Sequence, residues 1–122
     1  KATTFSNFGC GENCFILENN TIQQFVKIGN NVTLWSGNHI GHHSLIRDNC
    51  FISSHVVISG GVEVGKNSFL GVNSTVNDHL KLGEYSLIAS GALINKNTND
   101  YGVCIGAPFK HKENILSTDL KL

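Results

Sequence analysis

Residues 40–65 read IGHHSLIRDNCFISSHVVISGGVEVG, and an aliphatic side chain returns at every sixth position of this stretch. The same count continues in both directions, from Cys10 to Ile94, without an insertion, and fourteen of its fifteen positions are aliphatic. An amphipathic helix needs apolar residues about every 3.6 positions, and a half-buried strand needs them at every second position. A period of six fits neither element alone and indicates short strands that are joined by repeated tight turns.

A strict period of six residues predicts a parallel β-helix. The position four residues after each aliphatic residue is mainly small or branched, and glycine often follows the aliphatic residue directly. We therefore expect the aliphatic side chains to fill the interior of a prism and the small ones to let its walls close. Glycine or asparagine would take the positive φ that a sharp corner requires.

The repeat resembles that of the left-handed β-helix family, in which three hexapeptides form one triangular coil. The resemblance implies an all-β fold, a left-handed parallel β-helix of about five coils, whereas most parallel crossovers are right-handed. Each coil would pair its backbone with the coils on either side, roughly 4.8 Å away. Asn20 and Asn38 hold the same inward position one coil apart. We expect their side-chain amides to hydrogen-bond as a short ladder, since buried polar groups need partners.

The chain has 122 residues and a net charge of zero, which fits one domain with an elongated core. This charge balance gives no reason to expect nucleic acid or an anionic membrane as a partner. No apolar run approaches the ~18 residues of a membrane span, and no signal-peptide segment opens the chain. We therefore expect a cytoplasmic protein.

The four cysteines, Cys10, Cys14, Cys50 and Cys104, lack the paired spacing of a zinc site. Cys14 and Cys50 fall on inward small-residue positions, where a thiol behaves as a small apolar group. Reduced, structural cysteines in a cytosolic protein are therefore the expectation. No metal site is predicted.

The last clean repeat ends near Asn99. Residues 1–110 are predicted to form the β-helix, with a ragged first edge over residues 1–9. Residues 111–122 are predicted to cap its open end, with a helical turn over Lys112–Leu116, because the ends of a repeat array have to be covered. The chain contains no methionine, not even at position 1, so we expect it to be a piece of a longer protein.

Five of the six histidines lie between residues 39 and 79, and His39, His42 and His43 share a window of seven residues. In the repeat frame, His42 and His43 point outward at or near a corner of the prism. The next two coils place two glycines, an acidic residue and another histidine beside them: Gly60, Gly61, Asp78 and His79. Histidines that flank two glycines predict a shallow slot on the outside of the prism.

Three segments resemble the NeuD/PglD-type hexapeptide acyltransferases: Ile40–Ile46 (IGHHSLI), Ser54–Gly65 (SHVVISGGVEVG) and Gly106–Lys110 (GAPFK), in which Phe109 replaces the usual small residue. The resemblance covers about residues 10–110. Enzymes of this family transfer an acetyl group from acetyl-CoA to an amino group of a nucleotide-linked sugar or to a hydroxyl of sialic acid. They typically carry an N-terminal Rossmann-like sugar-nucleotide domain, and that domain is absent from this chain.

The resemblance implies that this chain is an acetyl-CoA-dependent sugar N- or O-acetyltransferase. The catalytic histidine of the family falls on His42, as the general base that takes a proton from the acceptor. Histidine suits this role because imidazole changes charge near neutral pH. The family often places an acidic residue directly after the base, where this chain has His43, so His39 is a second candidate. Cys50 points inward, which favours direct transfer over an acyl-cysteine route.

Seven positions are implied as contacts of acetyl-CoA: Phe51, Gly60, Val72, Ser90, Gly106, Pro108 and Lys110. Gly60 would leave room for the pantetheine arm, and Lys110 would be available to a phosphate group. In the family this arm lies along the outside of the coils between two subunits. The implied assembly is therefore a homotrimer, in which the wall of a neighbour closes the slot against water.

Two other functions share the implied fold. A γ-type carbonic anhydrase binds zinc between subunits, and the spacing of His43 and His79 resembles that of two of its ligands, but Glu84 stands where the third ligand would be a histidine. A catalytic zinc site normally has three protein ligands and one open position. A non-catalytic structural β-helix, such as an ice-binding prism, would need regular rows of threonine on one flat face. We expect Thr21, Thr33, Thr75 and Thr98 to form no such regular row.

Overall fold

The computed structural model describes residues 2–4 and 7–120, and short β-strands form almost all of the regular structure in these ranges. Each hexapeptide contributes a two-residue strand and a four-residue turn. The strands are β1 (Thr3–Thr4), β2 (Gly9–Cys10), β3 (Phe15–Ile16), β4 (Thr21–Ile22), β5 (Lys27–Ile28), β6 (Thr33–Leu34), β7 (His39–Ile40), β8 (Leu45–Ile46), β9 (Phe51–Ile52), β10 (Val57–Ile58), β11 (Glu63–Val64), β12 (Phe69–Leu70), β13 (Thr75–Val76), β14 (Lys81–Leu82), β15 (Leu87–Ile88), β16 (Leu93–Ile94), β17 (Val103–Ile105) and β18 (Lys110–His111). A single 3-10 turn follows at Ser117–Asp119 within the described residues.

The strands form three sheets, which are the three faces of a prism. Face 1 has the order β1-β4-β7-β10-β13-β16, face 2 the order β2-β5-β8-β11-β14, and face 3 the order β3-β6-β9-β12-β15-β17-β18. Neighbouring strands of the repeat are parallel and pair residues eighteen apart, as His39 pairs with Val57. At the C-terminal end, β15 and β17 are parallel with a spacing of sixteen residues, as Leu87 pairs with Val103, and β17 and β18 are antiparallel. Three hexapeptides therefore make one coil. The fold is a left-handed parallel β-helix of five to six coils, which confirms the predicted fold class.

The second residue of each repeat strand points into the prism, and these residues form the core. Ile40 and Ile58 are examples, and both are fully buried. The small residue four positions later also points inward. The serines at three of these positions, Ser44, Ser68 and Ser86, find hydrogen-bond partners, whereas the buried hydroxyl of Ser74 has none among the described residues. The hydroxyl of Ser44 donates to the carbonyl of Ser59 at 3.0 Å and accepts from the N–H of Val62 at 3.2 Å. A polar side chain is therefore tolerated at this buried position, because the adjacent backbone satisfies it.

Asn20 and Asn38 link successive coils, but the expected ladder of amide-to-amide bonds is wrong, because their hydrogen bonds run from side chain to backbone. Asn20 Oδ1 accepts from the N–H of Asn38 at 2.9 Å, and Asn38 Oδ1 accepts from the N–H of Val56 at 2.8 Å. The side-chain nitrogen of Asn38 donates to the carbonyl of Trp35 at 3.2 Å. Coils lie only about 4.8 Å apart, so an inward amide meets the backbone of the next coil before it meets another side chain.

The corners of the prism contain residues with positive φ. Asparagine takes this conformation as predicted, for example at Asn49 (63°) and Asn67 (60°). Bulkier residues also take it, including Phe25 (61°), His43 (62°) and His79 (59°). The left-handed conformation is unfavourable for a bulky side chain, so the stacking of the coils holds these residues there rather than their own preference.

Phe109 covers the C-terminal end of the core. Its side chain is 4% exposed and belongs to the same buried cluster as the aliphatic residues of the repeat. The following segment turns back along the outside, where the N–H of Ser117 donates to the carbonyl of Tyr101 at 3.0 Å. The helical turn predicted over Lys112–Leu116 is wrong in position, since the 3-10 turn of this segment lies at Ser117–Asp119.

The first coil begins within the segment that was expected to be ragged. Thr3–Thr4 pairs with Thr21–Ile22, and Gly9–Cys10 pairs with Lys27–Ile28. The expectations for both chain ends fall partly on residues that lie outside the described ones: Lys1, Phe5, Ser6, Lys121 and Leu122. In the described ranges, no helix has the length and apolar character that crossing a membrane requires.

Candidate active site at the histidine corner

The two adjacent histidines lie in the turn that leads from face 1 to face 2. Strand β7 ends at Ile40 and β8 begins at Leu45, and the turn between them exposes His42 and His43 to solvent. The buried residues Ile40 and Ser44 fix the turn on both sides. We call this edge of the prism the histidine corner, which comprises residues 41–44 and their counterparts in adjacent coils, 23–26, 59–62 and 77–80.

The imidazoles of His42 and His43 meet at their Nδ1 atoms, which are 3.1 Å apart. The ring centroids are 5.3 Å apart and the ring planes are inclined by 87°. The distance between the centroids exceeds the distance between the Nδ1 atoms by about two ring radii, which is the largest excess that the ring size permits. Both Nδ1 atoms therefore lie close to the line between the two rings, which is the direction of an N–H bond or a nitrogen lone pair. The contact uses one nitrogen of each ring and leaves the Nε2 atoms for other partners.

His42 is held by the coils on both sides of it. The main-chain N–H of His42 donates to Oε1 of Gln23 at 2.9 Å, and its main-chain carbonyl accepts from the N–H of Gly61 at 2.8 Å. The imidazole lies over Gly60, where a Cβ would be only 2.7 Å from both Cε1 and Nε2 of the ring. The room that was expected over Gly60 for a pantetheine arm is therefore occupied by the ring of His42.

His43 is held against the preceding coil. Its imidazole stacks on the ring of Phe25, with a centroid distance of 4.9 Å and an interplanar angle of 25°. Both residues occupy left-handed corner positions, eighteen residues apart, which explains why their rings meet. The Phe25 ring and the Nδ1 contact with His42 together fix the orientation of the His43 ring.

The remaining histidines do not converge on His42. The imidazole of His79 lies against Gly61, where an added Cβ would overlap with its Nδ1, and His55 lies in the same way against Gly37 on a different corner. His39 lies on face 1, in strand β7, and is half-buried. An imidazole from an adjacent coil thus packs against each of these corner glycines. The rings of His42 and His79 fill the predicted slot above Gly60 and Gly61.

The ligand set of the carbonic anhydrase alternative is not assembled within one chain. His43 and His79 are two coils apart, roughly 10 Å along the prism. Glu84 lines a groove on face 2 and not the histidine corner. Among the residues that the structure describes, no group of three histidine, cysteine or acidic residues is close enough to hold a metal ion.

Three of the residues implied as acetyl-CoA contacts share one edge of the prism. Val72 and Ser90 lie at the corner between faces 3 and 1, where the N–H of Gly91 donates to the carbonyl of Val72 at 2.9 Å. Gly106 joins this edge from the C-terminal segment, since its carbonyl accepts from the N–H of Leu93 at 2.9 Å. These residues lie on a different edge from the histidine corner.

The other four implied contacts lie elsewhere on the same chain. Phe51 is on face 3, stacked on Phe69 at 5.4 Å between ring centroids, and Gly60 is at the histidine corner. Pro108 and Lys110 are exposed at the C-terminal end. Within one chain the seven residues are therefore spread over separate parts of the prism, and their role as contacts stays a prediction.

Comparison with known sequences identifies the family. The profile of the bacterial transferase hexapeptide family (six repeats) matches residues 10–42, 25–60 and 43–78, which together span 10–78, more than half of the chain. The chain belongs to this family. A search of curated proteins finds no significant match.

Solved structures share the fold over nearly all of this chain. A mutant of perosamine N-acetyltransferase from Caulobacter crescentus, in complex with CoA and GDP-perosamine, is 23% identical, with a TM-score of 0.91 over 93% of this chain and 54% of that one. The acetyltransferase domain of PglB from Neisseria gonorrhoeae, in complex with acetyl coenzyme A, is 20% identical, with a TM-score of 0.89 over 91% and 54%. WeeI from Acinetobacter baumannii is 15% identical, with a TM-score of 0.76 over 88% and 56%. The chain spans about half the length of these structures.

A charged groove of about 640 Å³ lies on face 2 of this hexapeptide-transferase prism and extends to the corner between faces 2 and 3. Its walls include Arg47, whose Nε donates to Oε2 of Glu63 at 2.8 Å. This ion pair is solvent-exposed, so it adds little to stability. The groove was not among the predicted sites, although Lys27, Glu63 and Lys81 recur there at multiples of eighteen residues.

Gln23 and Phe25 are the site residues that the sequence analysis missed. The neighbours predicted for His42 and His43 were those of the two following coils, and the preceding coil was left out. The signal was present, because Phe25 precedes His43 by one coil of eighteen residues. Gln23 gave no such signal, since its contact with His42 spans nineteen residues.

The buried cysteines are poor nucleophiles. Burial raises the pKa of Cys50 to about 11, and it raises the pKa of Cys104 to about 11 as well. The Cys50 thiol points inward and donates to the carbonyl of Gly65 at 3.2 Å. The thiolate is the reactive form of cysteine, so these two residues are unreactive near neutral pH.

Proposed function

We propose that this chain is the catalytic part of an acetyltransferase that moves an acetyl group from acetyl-CoA to an amino or hydroxyl group of a sugar. The acceptor would be a nucleotide-linked amino sugar or sialic acid. Membership of the bacterial transferase hexapeptide family supports the reaction class. Similar structures contain CoA with GDP-perosamine, or acetyl coenzyme A, which supports the donor and the acceptor class.

One observation carries the catalytic assignment. His42 stands on the outside of the prism, exposed, with its ring fixed through Nδ1 and its Nε2 not used in that contact. A general base needs this combination of a fixed ring and a nitrogen that the acceptor can approach. His43 is the residue that fixes the ring, and His39 is assigned no part in the reaction, because it lies on face 1.

The proposed reaction is a direct transfer. His42 Nε2 takes the proton from the acceptor nitrogen or oxygen as that atom attacks the thioester carbonyl. The tetrahedral intermediate then collapses, the carbon–sulfur bond breaks, and the CoA sulfur leaves with the proton that the imidazolium returns. The raised pKa of the buried Cys50 thiol supports this route over an acyl-cysteine intermediate.

The donor is proposed to bind at an edge that two chains complete. Val72, Ser90 and Gly106 share one edge, with Pro108 and Lys110 at the end of the same segment, while Gly60 and His42 lie on another edge. A homotrimer would place the edge of one subunit beside the histidine corner of the next and so bring both sets to one acetyl-CoA. It would also exclude water from the exposed His42.

The acceptor is proposed to be chosen by a region outside this chain, since the chain spans about half the length of the structures that it matches. A Rossmann-like sugar-nucleotide domain N-terminal to the prism is the form that the family resemblance implies. Such an enzyme would act in the cytoplasm, where acetyl-CoA and nucleotide sugars are made.

Replacement of His42 tests this function in the natural full-length protein. His42→Ala should lower kcat by about 10²- to 10⁴-fold with nucleotide-linked amino sugars or sialic acid as acceptors, because the general base is lost. Calorimetry should show that the affinity for acetyl-CoA is nearly kept, and the melting temperature should change little, because His42 is exposed.

His39→Ala is the matched control, and it should cost far less activity. If His39→Ala abolishes turnover while His42→Ala does not, the assigned base is wrong. If the full-length protein neither binds acetyl-CoA nor acetylates any of these acceptors, the proposed function is wrong.

A further inference from the structure

The residue after the proposed base is a histidine, and a histidine can do more than orient its neighbour. On the basis of the proposed function, we infer that His42 and His43 form a proton relay. In this relay, His42 accepts a proton at Nε2 and at the same time gives its own Nδ1 proton to Nδ1 of His43. The positive charge of the reaction then resides on His43.

The geometry of the contact supports a transfer between the rings. The two Nδ1 atoms are 3.1 Å apart, and both lie near the line between the ring centroids. A proton on one Nδ1 therefore points at the lone pair of the other, which is the arrangement that a hydrogen bond requires. An inclination of 87° between the ring planes does not disturb this alignment, because it is a rotation about the shared line.

The contact also fixes the tautomer of each ring before the reaction. His42 can accept a proton at Nε2 only if its neutral ring carries its own proton at Nδ1. That N–H needs an acceptor, and Nδ1 of His43 provides it. His43 must then carry its proton at Nε2. Each neutral ring thus carries one N–H proton. The proton of His42 lies between the two Nδ1 atoms, and the proton of His43 lies on its Nε2.

The relay step balances without any further reactant. The acceptor group gives its proton to Nε2 of His42, and the Nδ1 proton of His42 moves to Nδ1 of His43. His42 is then neutral with its proton at Nε2, and His43 is an imidazolium. Both moves reverse when the departing CoA sulfur takes the proton from Nε2 of His42, which restores the starting tautomers.

Phe25 provides a place for the charge. Its ring stacks on the His43 imidazole at 4.9 Å between centroids, within the range of about 6 Å in which a cation is attracted to an aromatic face. His43 is also exposed, so water solvates the imidazolium. Within the part of the chain that the structure describes, the His42 ring lies over Gly60 and stacks on no aromatic ring.

The other charged or titratable groups around the corner leave the two imidazoles as a separate pair. His79 lies against Gly61, and Asp78 lies one coil beyond the Gly60 that the His42 ring covers. Lys27 begins strand β5 on face 2, and His39 lies on face 1. In the residues that the structure describes, neither imidazole is hydrogen-bonded to an acidic side chain. The proton that leaves His42 Nδ1 therefore goes to His43.

Two substitutions at residue 43 separate the relay from simple positioning. His43→Asn keeps a hydrogen-bond acceptor beside Nδ1 of His42 but cannot take up a proton, and Asn already occupies the same left-handed conformation at Asn49. We expect it to lower kcat about tenfold with little change in KM, a smaller loss than removal of the base itself. His43→Gly, which fits a positive φ, removes the acceptor as well and should cost more.

Kinetic isotope measurements give a readout that a positioning role does not move. In mixtures of light and heavy water, kcat/KM of the natural protein should vary along a curve, because two protons move in the transition state. In His43→Asn the same plot should become straight. A straight line for the natural protein, or wild-type kcat in His43→Asn, would overturn the relay even if the acetyltransferase activity is established.

Nitrogen-15 NMR tests the same inference without any substrate. Spectra of the labelled protein above neutral pH should show the Nδ1–H tautomer for His42 and the Nε2–H tautomer for His43. If His42 carries its proton at Nε2 in the neutral state, the relay is wrong. Because this result needs no turnover, it separates failure of the relay from failure of the proposed function.

Discussion

At the scale of single residues, the absence of a side chain at Gly60 decides where the proposed base can lie. The His42 imidazole occupies the space that a Cβ at Gly60 would need, with 2.7 Å to Cε1 and Nε2. Neither atom can stay in place if a methyl group is added, because real Cβ contacts are longer. The ring, being an exposed side chain, would move before the backbone does.

Gly60→Ala should therefore lower kcat about tenfold or more through displacement of His42, since a shift of about 1 Å in a reacting group is costly. The melting temperature should change little. Gly9→Ala is the matched control, because an added Cβ there meets no atom within 4 Å. Wild-type kcat in Gly60→Ala would mean that His42 does not act from the position in which the structure holds it.

At the scale of the repeat element, inward polar side chains tie one coil to the next. Asn38 is 2% exposed and links to two main-chain groups, the N–H of Val56 and the carbonyl of Trp35. The hydroxyl of Ser44 does the same at the next inward position, where it bonds to Ser59 and Val62. These side chains add inter-coil hydrogen bonds inside the corners to the main-chain bonds that the turns already make, as between Gly61 and His42.

Asn38→Val should lower the free energy of unfolding by about 1–3 kcal/mol, the cost of leaving buried polar groups unpaired. Valine is apolar and already stands, fully buried, at the same inward position at Val26 and Val32. Denaturant unfolding measures the change, and substitution of the exposed Asn95 by alanine should have little effect. An unchanged stability of Asn38→Val would show that water or a shifted backbone replaces both hydrogen bonds.

At the scale of the whole molecule, one prism leaves the proposed base open to solvent. His42 and His43 are both exposed, and the edge that carries Val72 and Ser90 is a different edge of the same chain. A site that needs both edges and excludes water requires a second copy of the chain. The proposed trimer follows from this arrangement together with the family resemblance.

Light scattering of the natural protein at micromolar concentration should therefore give a mass of three chains. On dilution, the specific activity should fall together with the mass, because dissociation opens the shared site. The His42→Ala variant should assemble normally and serves as the control for fold. A monomer with full specific activity would contradict the shared site while leaving the reaction itself open to test.

The sequence by itself determined the fold and the place of the candidate site. An uninterrupted period of six specifies which residues point inward, because each backbone turn repeats the last, and it puts Ile40 and Ser44 inside and His42 outside. The family resemblance supplied the handedness and the coil length, from which residues eighteen apart become neighbours. Gly60 and Gly61 were placed beside the histidines in this way.

Only the tertiary structure decided how the side chains at the corner meet. The repeat fixes the backbone register but not the rotamers, so it did not reveal that His42 covers Gly60, that His43 stacks on Phe25, or that two Nδ1 atoms meet. The repeat also did not reveal that the side chains of Asn20 and Asn38 bond to the backbone of the next coil, because it does not fix their rotamers. The helical turn was misplaced because the C-terminal segment lies outside the repeat, and its contacts with the prism, as between Ser117 and Tyr101, are not periodic.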